Sequence, residues 1–530
     1  MATGVTRTST LVRWARRRRG RPLTFGAAAL VVTATATAAV LAVPVVAVVV
    51  QASSVGWKGA VRILQRPIVP MLLWNTLQLT VLVSVGCAVV GVGVAWLVER
   101  TNLPGRRALS VLLVLPLAVP EFVASFGWVS LFPSLQGLRG ATLVMTLSLY
   151  PWVYLPVRSS LRLADPIAEE VARSLGLKRW QCFTRVTLPS VRLATLGGVL
   201  IVALYLLAEY GAFALLRFRT LATAIYTEYS LGFSATSASV FTLVLCTLAV
   251  LLLAGEYRLR GRAGIVRGGG QIGRTVTPLR LGRTTPLALA MVLGVIAFAL
   301  GIPISSVLYW MIKSPSTTLP SASVFTATLE SLWLGGISAV VATVLAVPVA
   351  LLTVRHPGPF SRVVERSSYL VRSVPGIAIG LTFVTVTIRN FPGLYQTRVL
   401  LIAAYVVLGF PLALVAARAA VARVPPIIED AARSLGAPPR RVLRRVTIPL
   451  VLPGLGAAAV LVWLTASTEL TATLLLRPTG TETLATRFWS YASGLAYGAA
   501  APYAGIMIVL SAVPTMLLFH FGGQRRPERR

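Results

Sequence analysis

The chain has 530 residues, 56% of them hydrophobic and 12% charged, with a mean hydropathy of +0.79; a soluble core of this length cannot hide that much apolar surface, so a polytopic membrane protein is expected. The formal net charge of +35 would suggest nucleic-acid binding in a soluble protein, but most of it lies just outside the apolar runs, which excludes that reading. Three cysteines (Cys87, Cys182, Cys246) without a CxxC pair and two distant histidines (His356, His520) support no disulfide framework, zinc site or metal cluster, and no cofactor is expected.

A bilayer core takes roughly 20 apolar residues per helix, and runs of that length recur along the chain. They are solid, as from Val81 to Trp96, without the alternation of a closed barrel, so the expected fold is all-α. A basic N-tail, 1–24, carries Arg16 to Arg19 and leads into a first span at 25–50, which is too long for a signal peptide and reads as uncleaved. Spans at 72–97, 109–132, 140–158, 193–217 and 238–256 complete a first half, 25–256. A linker, 257–285, rich in glycine and arginine and including Gly268 to Gly270, should be flexible. The second half, 286–521, has spans at 286–311, 329–354, 368–388, 398–418, 451–475 and 501–521, followed by a C-tail, 522–530.

Basic residues gather in loops that stay on the cytoplasmic side. With the N-terminus inside, the cytoplasm receives seven in the N-tail, three in 98–108, seven in 158–192, seven in 257–285, four in 355–372, seven in 418–445 and four in the C-tail. That is 39 of the 50 lysines and arginines, which leaves 11 outside and sets twelve spans with both termini cytoplasmic.

The halves also repeat each other at a shift of 260 residues. Arg173-Ser174-Leu175-Gly176 recurs as Arg433-Ser434-Leu435-Gly436, and Arg185-Val186-Thr187-Leu188-Pro189 as Arg445-Val446-Thr447-Ile448-Pro449. Tyr150-Pro151 matches Phe410-Pro411, Glu209 matches Glu469, and Leu215-Leu216-Arg217 matches Leu475-Leu476-Arg477 at the same shift. With six spans in each half, the symmetry is parallel, about an axis along the membrane normal.

The repeated words lie in the loop after the fourth span of each half, 162–190 and 422–450. Asp165-Pro166 forms a helix start, Gly176 is placed to end that helix in the left-handed conformation, and Trp180, Phe183 and Val186 follow on one apolar face. A helix, glycine turn, helix unit is therefore expected. This loop resembles the EAA loop of ABC-importer permeases, in which an acidic and two small residues are followed by glycine and later by a hydrophobic-x-hydrophobic-Pro word. The family positions fall on Glu170, Val171, Ala172, Gly176, Val186, Leu188 and Pro189, and on Asp430, Ala431, Ala432, Gly436, Val446, Ile448 and Pro449. Val171 departs from the small residue, and Asp430 is one methylene shorter than glutamate. The resemblance implies a type I ABC importer permease fold in the bacterial inner membrane. It also implies a cytoplasmic ABC ATPase dimer docked on the two loops and an extracytoplasmic solute-binding protein on the other face.

An ATPase motif is not encoded in the chain: a P-loop needs Gly-Lys-Ser/Thr, and Lys58, Lys178 and Lys313 are not preceded by glycine. The fused pair of halves looks like the ferric-iron type of permease, on Ala208 to Leu216 with Thr220 to Tyr226, and on Glu469 to Arg477 with Thr483 to Thr486. Permeases for thiamine, phosphonates, polyamines and other small solutes share much of this design. Ionisable residues inside spans are costly, so Glu209 and Glu469, toward the outer ends of the fifth and eleventh spans, either line the pathway or sit at the interface paired with Arg217 or Arg477. Glu121 follows Pro120, but its counterpart after Pro375 is Gly376, so no symmetric role is expected of it and a proline kink accounts for the site. An ion-coupled secondary transporter would have no use for two docking loops, and a scaffold no need of matched halves.

Overall fold

A long apolar run in lipid can satisfy its backbone groups only from within, which forces helix. The computed structural model describes residues 25–163, 167–230, 232, 234–260, 279–314, 322–370 and 374–523. The N-tail, the C-tail beyond Gly523, the Asp165-Pro166 helix start and most of the linker, including Gly268 to Gly270, lie outside the described residues. Among the described residues the chain is all-helical, apart from a single bridge between Thr101 and Leu279.

Among the described residues ten helices are long and apolar enough to cross a membrane: Leu30–Ser53, Ile68–Arg100, Gly137–Arg162, Trp180–Ala208, Ala235–Glu256, Gly282–Lys313, Ala322–Arg355, Arg398–Ala422, Arg440–Ser467 and Tyr497–Met516. They correspond to ten of the twelve expected spans. The remaining two, the third and the ninth, are corrected from continuous helices to broken ones. In the third, Arg106–Ala118 and Glu121–Leu131 meet at 92°. In the ninth, Pro359–Leu370 is followed by the short apolar helix Gly376–Asn390. Each second limb starts after a proline in extended conformation, Pro120 (ψ 139°) or Pro375 (ψ 148°), which has no N–H to continue the ladder.

The fifth and eleventh spans are also displaced from expectation. They run from Trp180 to Ala208 and from Arg440 to Ser467, rather than 193–217 and 451–475. The reason is that the second helix of each loop is continuous with its span through one π-turn, Phe183–Thr187 or Leu443–Thr447. The helix then ends just before Glu209 in one half and before Thr468 in the other.

Packing joins the halves through their leading helices. Ala34, Ala38 and Leu41 of the first span are buried with Ala342, Val349, Phe410 and Leu414 of the second half. Reciprocally, Val292, Ala299, Leu300 and Val307 of the seventh span are buried with Val83, Phe126 and Tyr150 of the first half. Glycine makes the second contact close: a Cβ at Gly127 would sit 2.7 Å from Pro303 Cα. Within the first half, Gly91 and Gly198 let the second and fifth spans close on either side of Val153, where any side chain would meet backbone or Cβ atoms at 2.7–2.9 Å. Outward faces stay apolar, as with exposed Val81, Val85 and Val89 opposite buried Val83 and Cys87 on the second span.

Candidate functional site

The two repeated loops take the same shape. Helix Ile167–Ser174 ends at Gly176 (φ +83°), and helix Pro426–Ser434 at Gly436 (φ +81°), both left-handed as expected. In each case the turn is closed by the backbone: Leu177 N donates to Ala172 O and Ala437 N to Ala432 O, both at 3.1 Å. Glu170, Gly176, Leu188, Pro189, Asp430, Gly436, Ile448 and Pro449 are exposed, Ala172 is buried and Ala432 half-buried. Asp430 pairs with Arg433 one turn on, at 2.6 Å. Leu175 and Leu435, at the tips, are 77% and 88% exposed, and Trp180 and Ile427 also lie bare. Each loop thus offers acidic and apolar side chains around a fixed glycine turn, a surface that calls for a partner.

Sequence reasoning missed the residue before each exposed acid. Glu169 and Glu429 are buried and turn back into the protein, toward Arg100 and Thr187, and toward Arg355 and Thr447. The signal available was the three-residue spacing of Glu169 to Ala172, which puts both on the inward face of an amphipathic helix.

The second candidate site lies where the halves meet. Glu209 and Glu469 stand at the breaks after their spans, half-buried, and each caps the short helix that follows: Ala212 N donates to Glu209 Oε1 at 2.7 Å and Ala472 N to Glu469 Oε1 at 3.1 Å. The breaks touch across the pseudo-symmetry axis, since a Cβ on Gly211 would lie 2.8 Å from Leu470 Cδ2. Tyr210 adds an aromatic bridge, its ring 4.3 Å from that of Tyr226 and 5.4 Å from that of Trp489 of the second half. Among the described residues neither carboxylate forms an ion pair, so pairing with Arg217 or Arg477 is not what holds them.

Glu121 belongs to this group, which corrects the expectation that the third-span proline kink was the whole account. It begins the second limb of the broken span and accepts a hydrogen bond from Tyr205 Oη at 2.9 Å. It lies within electrostatic reach of both Glu209 and Glu469. Its counterpart, Gly376, faces the same place: a Cβ there would be 3.4 Å from Glu469 Oε1. The proline break in each half therefore aims its next residue at the axis, and one of the two carries a carboxyl group. Three carboxyl groups from three separate elements face this region, without standing close enough together among the described residues to form a metal-holding group.

Residues 88–255 and 340–524 match the family model described as binding-protein-dependent transport system inner membrane component, once in each half. The chain is 34% identical over 484 residues to the Fe(3+)-transport system permease protein FbpB 2 of Haemophilus influenzae, an alignment that covers 90% of this chain and 95% of that protein. It is 29% identical over 246 residues to the sulfate transport system permease protein CysT of Escherichia coli, covering 42% of this chain and 88% of that one. Against the sulfate transport system permease protein CysW of Synechocystis it is 33% identical over 218 residues, covering 36% of this chain and 78% of that one.

Proposed function

The chain belongs to the family of binding-protein-dependent transport system inner membrane components, and from that premise we propose that it forms the two-half pore of an ATP-driven importer of ferric iron. An ATPase dimer docks on the two loops, one subunit over Leu175 and Glu170, the other over Leu435 and Asp430, and an extracytoplasmic binding protein delivers the ion on the opposite face. The observation that carries the choice of cargo is the placement of three carboxyl groups, Glu121, Glu209 and Glu469, at the helix breaks between the halves, oxygen donors that suit a hard cation and not an anion such as sulfate. Coverage argues the same way: the Fe(3+) permease aligns with both halves, whereas each sulfate permease aligns with less than half of the chain.

The chain reconstituted in lipid vesicles with its ATPase and binding protein should take up radiolabelled ferric iron only when ATP is supplied, and excess sulfate should not compete. Sulfate uptake without iron uptake would refute the cargo, and iron uptake without ATP would refute the importer class.

In this reading both termini and both loops face the cytoplasm, supported by the 39-to-11 division of basic residues. Reporter fusions at Gly268 and after Arg530 are expected to be active as cytoplasmic reporters. An extracytoplasmic signal at either position would overturn the orientation.

A further inference from the structure

Glu169 and Glu429 are 5% and 7% exposed, and burying a charge is costly unless it is paired and hydrogen-bonded. Both are met by the same two residue types, the arginine making an ion pair in the first half and an ion pair with a hydrogen bond in the second. Arg100, the last residue of the second span, brings Nε to 3.2 Å from Glu169 Oε1. Arg355, the last residue of the eighth, donates from Nη2 to Glu429 Oε1 at 2.8 Å and to Val424 O at 3.0 Å. The remaining member is a hydroxyl: Thr187 donates to Glu169 Oε1 at 3.0 Å and Thr447 to Glu429 Oε1 at 3.1 Å.

Each threonine is the last residue of a π-turn, Phe183–Thr187 or Leu443–Thr447. One residue more per turn rotates everything before it relative to the span, and such turns are often kept where a side chain must be re-aimed. The triad therefore ties three segments at one atom: the loop helix, the end of the preceding long span, and the root of the span that runs to Glu209 or Thr468. In the first half the end of the linker is fastened to the same place, with Leu279 N donating to Arg100 O at 2.9 Å and Asn102 N to Leu279 O at 3.1 Å. Apolar contacts between helices are non-directional and allow sliding. A buried ion pair with a hydroxyl on the same oxygen does not, because any rotation of the loop helix must break it or carry both spans along.

We propose that the two Arg–Glu–Thr triads, Arg100–Glu169–Thr187 and Arg355–Glu429–Thr447, transmit movement of the docked loops to the spans that line the pathway. Glu169 and Glu429 act as positioning residues in this coupling. The inference rests on the reading that an ATPase docks on the loops.

The test compares the parent chain, reconstituted with its ATPase and binding protein in lipid vesicles, with Glu169→Gln/Glu429→Gln and with Thr187→Val/Thr447→Val. The readout is solute imported per ATP hydrolysed, a ratio that simple loss of folded protein leaves unchanged because both rates fall together. The ATPase is expected to co-purify with both variants and hydrolysis to persist. The ratio should fall at least tenfold in the glutamine variant and severalfold in the valine variant, while Arg100→Lys/Arg355→Lys, which keeps the charge, stays closer to the parent than the glutamine variant does. A parental ratio in the assembled glutamine variant overturns the proposal; should that variant fail to assemble, a parental ratio in the valine variant overturns it alone. Failure of the parent chain to retain the ATPase would instead overturn the docking reading.

Discussion

Gly176→Val combined with Gly436→Val is expected to leave the chain in the membrane and to remove most uptake. Nothing lies within 4 Å of a Cβ built on either glycine, so the substitution meets no steric wall and its effect is purely conformational. At φ +83° and +81° a non-glycine residue is strained by about 1–2 kcal/mol, more when β-branched, and about 1.4 kcal/mol is a tenfold change in population. Each loop is thus expected to lose roughly tenfold in its docked geometry, while the spans keep their packing, since neither glycine is packed against one. Membrane fractionation, co-purification of the ATPase and vesicle uptake measure the three consequences separately. Asparagine at the same two positions tolerates the left-handed region and should retain much of the uptake. Parental uptake in the valine double variant would sink the account of the turns.

Glu209→Gln with Glu469→Gln should slow ferric-iron uptake about tenfold or more without disturbing assembly. Glutamine is nearly isosteric and its side-chain oxygen still accepts from Ala212 N and Ala472 N, so the caps on the short helices survive while two ionisable groups disappear. Adding Glu121→Gln removes the third charge and is expected to lower the rate further, with Tyr205 still able to donate to the amide oxygen. The sign is informative: attraction of a cation by three carboxylates is lost on neutralisation, whereas an anionic cargo would cross faster once they are gone. Iron uptake at the parental rate in the triple variant would reduce the cluster to helix capping. Binding-protein docking and basal ATP hydrolysis, measured on the same vesicles, separate a pathway defect from a failed complex.

Residue by residue, the two repeated loops were legible because their signals are local. A glycine that must be left-handed, an acid followed by small residues, and a recurring Pro word are all carried by a few neighbouring positions, and Gly176 and Gly436 take the predicted conformation. Glu169 and Glu429 were not legible for the opposite reason. Beside Glu170 and Asp430 they look like one more loop acid, and what buries them is an arginine 69 or 74 residues upstream. Glu121 failed similarly, since the repeat compares it with a glycine and so hides that both face the same axis.

Sequence alone determined the membrane class, ten of the twelve expected spans, the doubled architecture and the shape of the loops. Run length, charge placement and the 260-residue shift of the loop words are one-dimensional quantities, and lipid and backbone hydrogen bonding translate the apolar runs directly into helices. Tertiary structure alone decided that the third span bends by 92° and that the first and seventh spans are exchanged between halves. It also decided that the fifth and eleventh spans stop short of two carboxylates which a third then joins. In a bilayer the faces turned to lipid and to protein are equally apolar, so hydropathy does not mark which helix meets which; close approach at glycines and the few polar contacts between distant segments settle that.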